Sequence, residues 1–314
     1  MEQNTLGVVL SYYRQKYGFS MEALASGICS TTTLSRVEAG SREIDSLMAE
    51  ALLGRVGKEV TQFELLLNDE DYAMWQKRES IHAALKEKRY DEVRDGVCQY
   101  ENMLTEEQSL HWQRCLAWRV QLEEACGGRE EIIRIASEAL AYTIADVDSG
   151  MAGQLYNPLE IRLILVLARH IYFAAIEETE ARLFRMVRCV ETYYSGRMKE
   201  TLGIEILLTL IELMEKSGEN NKVIRYADQT IALIAKGRGI RHVAELHYIK
   251  ARAIEQLYHG SVNWEEQARC CKQECTMAYY VAEMMEEKDL LEEIAAYCEE
   301  KLTWQITEQV MSFD

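Results

Sequence analysis

Leu6, Val9, Leu10 and Tyr13 recur at helical spacing, and Gly18 closes the helix they predict. Ser20 stands as N-cap of a short helix carrying Ala23 and Leu24, which Gly27 ends. Ser30 caps a third helix that buries Leu34 and Val37 and stops at Gly40. A fourth helix is expected over 45–56 and a fifth near 60–67. Five such helices form a small bundle, residues 1–67, with a boundary at Asn68–Asp71. Beyond it, in 72–314, the apolar pattern lengthens into pairs of amphipathic helices. These are placed at 71–88 with 90–104, 107–126 with 129–144, 158–175 with 178–195, 199–216 with 219–236, and 240–258 with 264–285, and a last helix starts near Lys288. Asn157 as N-cap followed by Pro158 is the sharpest of the start signals. The later pairs begin about 41 residues apart, the period of a helical solenoid.

Composition narrows the picture. A single proline among 314 residues, with 48% hydrophobic content, fits an all-α chain with real cores. Lys and Arg number 35 against 52 Asp and Glu, so the chain carries a formal charge of −17. Such a balance disfavours diffuse binding to nucleic acid or anionic membranes, and any DNA contact must come from a local patch. The most apolar run, Leu163–Ala168, is too short to span a bilayer, and the first residues lack a signal-peptide pattern. Nine scattered cysteines suit a reducing compartment. A soluble cytoplasmic protein is expected.

The local patch is the third helix. Ser30, Thr31 and Thr32 put short hydroxyls at a helix N-terminus, where the dipole also favours phosphate. Arg36 projects from the same helix, and Arg42 just past its end is placed for a phosphate. The run "GFSMEALASGICSTTTLSRVEAGSRE" resembles the XRE (Cro-type) helix-turn-helix family through Gly18, Ser20, Leu24, Ala25, Ile28, Ser30, Leu34, Ser35, Arg36, Glu38 and Gly40. The resemblance implies that Thr31, Thr32 and Arg36 face bases, that Ser35 belongs to the same reading surface, and that Arg42 meets the backbone. It also implies that Arg14 and Glu38 join the first and third helices. Met21 departs from the pattern, standing where the family carries a glutamine that touches DNA. Because residues 1–67 are not basic, two protomers on an inverted-repeat operator are expected.

The whole layout resembles the Rgg/PlcR class of peptide-sensing regulators. That resemblance implies a right-handed superhelical array of TPR-like pairs that binds a short signalling peptide on its concave face, and homodimerisation. An array of helix pairs offers an extended surface suited to a linear ligand. Polar groups on the first helices of the pairs are the candidates: Asn157, Arg162, Arg169 and Tyr172, with Glu205, Arg241 and Lys250 further along. Arg162 and Arg169, seven apart, share a helix face suited to clamping a carboxylate.

No catalytic constellation emerges. His242 and His247 are five apart and poorly set for one metal, and Cys270, Cys271 and Cys275 lack a second half-site, so they read as buried thiols. Neither a metal nor a cofactor is expected, and an enzyme is not the reading. The function expected is a quorum-sensing transcription regulator controlled by a peptide. The alternatives are a protein-interaction scaffold and a dimeric DNA-binding regulator without a ligand.

Overall fold

The computed structural model describes residues 5–60, 68–144, 155–171 and 176–306. The described residues are helical throughout, with no strand among them. The chain divides into two compact units, Met1–Leu202 and Gly203–Asp314.

The first unit begins with α1 (Thr5–Tyr17), α2 (Met21–Ala25), α3 (Thr31–Glu38) and α4 (Ser46–Arg55). Local chemistry ends each element where the pattern indicates. Ser20 Oγ accepts from Ala23 N–H, and Ser30 Oγ accepts from Thr33 N–H, both at 3.0 Å. Asp45 caps α4 by accepting from Met48 N–H at 2.8 Å. The fifth short helix expected near 60–67 falls almost wholly outside the described residues. Leu10, Leu24, Leu34, Val37, Leu52 and Leu53 fill the bundle's centre. Arg14 lies across it: its Nε and Nη2 donate to the two carboxylate oxygens of Glu38 at 2.7 and 2.8 Å, which ties α1 to α3.

Three helix pairs complete this unit: α5 (Asp69–Lys86) with α6 (Tyr90–Glu101), α7 (Ser109–Cys126) with α8 (Arg129–Ala141), and α9 (Pro158–Ile171) with α10 (Ile176–Tyr193). From α5 to α9 each helix packs on the next in sequence. Met74, Ile81, Val97, Tyr100 and Trp118 form the core of the first of these layers. At α9, Asn157 Oδ1 accepts from Glu160 N–H at 2.9 Å while Glu160 Oε2 accepts from Asn157 N–H at 2.7 Å, a reciprocal cap.

The helix-turn-helix bundle does not stand apart from these pairs. Leu110 of α7 and Leu155 enter its core. Arg55, at the end of α4, donates to Glu160 Oε1 at 2.7 Å with both side chains essentially sealed from solvent, at 1% and 0% exposure. The same guanidinium donates to the carbonyls of Leu24 and Ser26, at the end of α2. At the other end of α4, Asp71 accepts from Ser46 N–H and Oγ–H, and Arg78 Nη2 donates to Ser46 Oγ. Backbone touches backbone at Gly57, where a Cβ would lie 2.1 Å from Tyr193 O. Phe19 packs edge-on against the Tyr193 ring there.

The second unit takes up α11 (Gly196–Ser217) from Gly203 onward, then α12 (Asn220–Lys236), α13 (Val243–Tyr258), α14 (Trp264–Met284) and α15 (Lys288–Leu302). Ala251, Cys271, Cys275, Ala278, Ala282, Ile294 and Cys298 are wholly buried at its core. Small side chains along one face of α14 let α13 and α15 approach it closely, which accounts for the thiols there. Cys271 Sγ donates to Ala251 O at 3.2 Å.

Two predictions follow from the docking of the bundle. Glu160→Ala leaves the Arg55 charge buried without its partner and is expected to cost about 3–5 kcal/mol in urea melts. Replacing both residues with methionine should recover part of that loss; strictly additive losses would show that the two do not interact. Gly57→Ala should be far worse than Gly18→Ala. Both sites have φ near +70°, at 69° and 71°, yet only Gly57 is pressed against another backbone. The Gly18 variant should lose about 1–2 kcal/mol from backbone strain alone, and equal losses would rule out the close approach.

Candidate nucleic-acid interface and ligand cavity

Helix α3 presents a polar face outward. Leu34 and Val37 point into the core, while Thr31, Thr32, Ser35 and Arg36 are exposed beside the exposed cap Ser30. Arg42 Nη1 donates to Thr33 Oγ1 at 3.3 Å, and Thr33 Oγ1 lies 3.0 Å from Ser30 Oγ. Thr33 was not a candidate from the sequence; it joins the cap to Arg42 and so orients that cation along the N-terminal end of α3. Hydroxyls, one arginine on the helix and a second arginine at its edge therefore share one open surface. Such a surface can offer bidentate donors to a base edge and donors to phosphate. Ser41 Oγ donates to Arg36 O at 3.1 Å, which fixes the chain as it leaves the helix.

A second feature lies beside α4. A cavity of about 410 Å³ is walled by α4 and its following turn, and by the first helices of successive pairs, α5, α7, α9 and the start of α11. From α4 and its turn come Glu50, Lys58, Glu59 and Val60; from the pairs come Trp75, Arg78, His82, Arg114, Arg162 and Arg197, among others. Arg114 Nη2 donates to Glu50 Oε1 at 2.6 Å across this wall. Burial alone would push Glu50 up, but Arg114, aided by Arg78 and His82, holds its carboxyl below the usual range. Burial also depresses His82, and the neighbouring charge of Arg114 adds to the effect while Glu79 and Glu50 oppose it. Lys58 is anchored by Ser195 Oγ at 3.0 Å and sits 4.4 Å from the centre of the Tyr13 ring.

The candidate peptide contacts scatter. Arg162 is exposed and lines the cavity. Arg169 donates instead to Glu124 of α7 at 2.6 Å. Asn157 is 3% exposed and its side-chain oxygen is engaged as the α9 cap, so it holds the helix. Tyr172 lies outside the described residues. Glu205, Arg241 and Lys250 belong to the second unit. Lys250 is buried and donates to Glu274 at 2.7 Å and pairs with Asp228 at 2.6 Å, which makes it a tie between helices. Arg241 is exposed just before α13, and Glu205 is half-buried on α11. Trp75, Arg114 and Arg197 were missed because only the stacking of pairs brings them to one cavity. Their shared place on first helices was the available signal.

Among the described residues no group of three or more His, Cys, Asp and Glu is arranged to hold a metal. No helix there is long and apolar enough to cross a membrane. No family model matches the sequence, and no curated protein matches it significantly. Solved structures do match. PlcR of Bacillus thuringiensis, in a crystal structure with the peptide PapR7 and DNA, aligns over 92% of this chain and 98% of its own, with 13% identity and a TM-score of 0.55. Its apo form aligns over 93% and 98%, with 12% identity and a TM-score of 0.54. At such identities the likeness is one of fold, and the chain shares the fold of PlcR along nearly the whole length of both.

Proposed function

We propose that the chain is a cytoplasmic, sequence-specific DNA-binding regulator of transcription, with residues 1–67 as its reading domain. Residues 72–314 serve as the array that receives a short signalling peptide and forms the dimer. The observation that carries the reading is the open face of α3, where Thr31, Thr32, Ser35, Arg36 and Arg42 stand together on a capped helix. That arrangement has no structural task in the bundle, since the core is filled from the opposite face. The fold likeness adds support, because PlcR was crystallised with both a peptide and DNA. Charge also bears on the mechanism: six Lys and Arg against eight Asp and Glu in residues 1–67 leave few phosphate contacts per protomer. Two protomers on an inverted repeat double them.

The dimer surface is placed on α14. Met277, Tyr280 and Met284 are exposed at 50%, 38% and 64%, and their spacing of three and four sets them on one stripe. A second copy of the same stripe would bury it symmetrically.

Selection of binding duplexes from a random pool tests the DNA reading. Arg36→Ala is expected to lose about 1–3 kcal/mol on the selected site and little on scrambled DNA. Arg42→Ala should weaken all duplexes alike and flatten the salt dependence. Equal affinity of the unmodified protein for selected and scrambled duplexes would overturn the assignment. For the dimer, light scattering should give twice the chain mass at micromolar concentration, and Met277→Glu with Met284→Glu should return the chain mass. A monomer before substitution would remove α14 as the interface.

A further inference from the structure

The cavity beside α4 has a chemistry of its own. Five cationic side chains, Lys58, Arg78, Arg114, Arg162 and Arg197, face three carboxylates, Glu50, Glu59 and Glu79. In a chain of net charge −17 this is a concentrated excess of positive charge. Trp75, Val60, Met198 and Leu202 give the same cavity apolar wall. A volume of about 410 Å³ falls within the range of small-ligand sites. The lining thus suits a group that is apolar along its body and anionic at its end.

One carboxylate already occupies that anionic position. Glu50 belongs to α4, and it is held by Arg114 of α7 at 2.6 Å. Its side chain is half-exposed, so the bond is open to competition from within the cavity. Arg114 reaches Glu50 through Nη2, while its Nε is buried away from the cavity. Arg162 and Arg197 line the same cavity from α9 and α11.

We infer that this cavity receives the C-terminal end of a peptide, whose free carboxylate replaces Glu50 on Arg114 and is flanked by Arg162 and Arg197. The inference rests on the peptide-responsive reading and assigns it a site and a switch. Glu50 acts as an internal stand-in for the ligand's carboxylate. While it is bound, α4 is tied at its middle to α7, between the Ser46–Asp71 contact and the Arg55–Glu160 pair. Ligand binding removes only the middle tie. The ligand favours the state with Glu50 released, and by that difference in affinity it shifts α4, whose ends stay fixed, toward looser packing at its middle. Helix α4 packs on both α1 and α2 of the reading bundle, so the shift is delivered where DNA contact is organised.

The test uses a pool of random-sequence heptapeptides in two forms, with a free C-terminal carboxylate and with a C-terminal amide. Full-length protein is dialysed against each pool, and retained peptides are counted by mass spectrometry. The free-carboxylate pool should be retained about tenfold better than the amide pool, the scale of one charge-assisted bond. Glu50→Gln removes the competitor and should raise retention of the carboxylate pool by about the same factor. Arg162→Met with Arg197→Met should abolish the preference, and circular dichroism checks that this variant folds. Amide exchange in α4 should quicken on adding the carboxylate pool and stay unchanged with the amide pool. Equal retention of the two pools would overturn this site while leaving the peptide-receptor reading in place. Retention of neither pool would overturn both.

Discussion

A single buried charge pair organises the first unit. Arg55 gives its guanidinium to Glu160 and to the carbonyls that end α2, so one side chain touches the paired helices and the turn before the reading helix. Neither charge is reachable by water. Such a pair tolerates no partial arrangement, because separating the partners strands both charges in an apolar setting. The helix-turn-helix bundle is therefore held in one orientation relative to α9. Its surroundings follow suit: Gly57 lets Tyr193 approach, Leu110 and Leu155 finish the bundle's core, and Ser46 joins Asp71 and Arg78.

Helix α4 joins the bundle to the paired helices at both of its ends. One end is fixed by hydroxyl and carboxylate bonds and the other by the buried pair. Its middle packs into the bundle's core through Ala49, Leu52 and Leu53, and its polar tie there is Glu50, half-exposed in a cavity rich in arginine. The strengths differ for a physical reason. Bonds sealed from solvent keep nearly all of their electrostatic strength, whereas a partly solvated ion pair is worth little and is readily exchanged. The Glu50–Arg114 contact can therefore be exchanged without unfolding anything.

Local order was largely legible in the sequence. Apolar spacing and the caps Ser20, Ser30 and Asn157 marked helix starts that the structure repeats within a few residues. The exposed polar face of α3 was legible too, because its residues are neighbours in one short helix. Asn157 shows the limit: the signal that marked it as a cap says nothing of a ligand, and its side-chain oxygen is taken by Glu160 N–H. Lys250 was equally misleading, since a cation on a first helix reads the same whether it faces a groove or a carboxylate.

The sequence by itself determined the helices and the polar face of α3, because each depends on interactions within a few residues. Tertiary structure alone decided which charges meet. Arg55 and Glu160 are 105 positions apart, and Glu50 and Arg114 are 64 apart. No pattern in a chain with 35 cations and 52 carboxylates singles out those pairs. Burial selects the first, since only partners brought together away from water can remain charged there, and the packing of α4 on α7 selects the second.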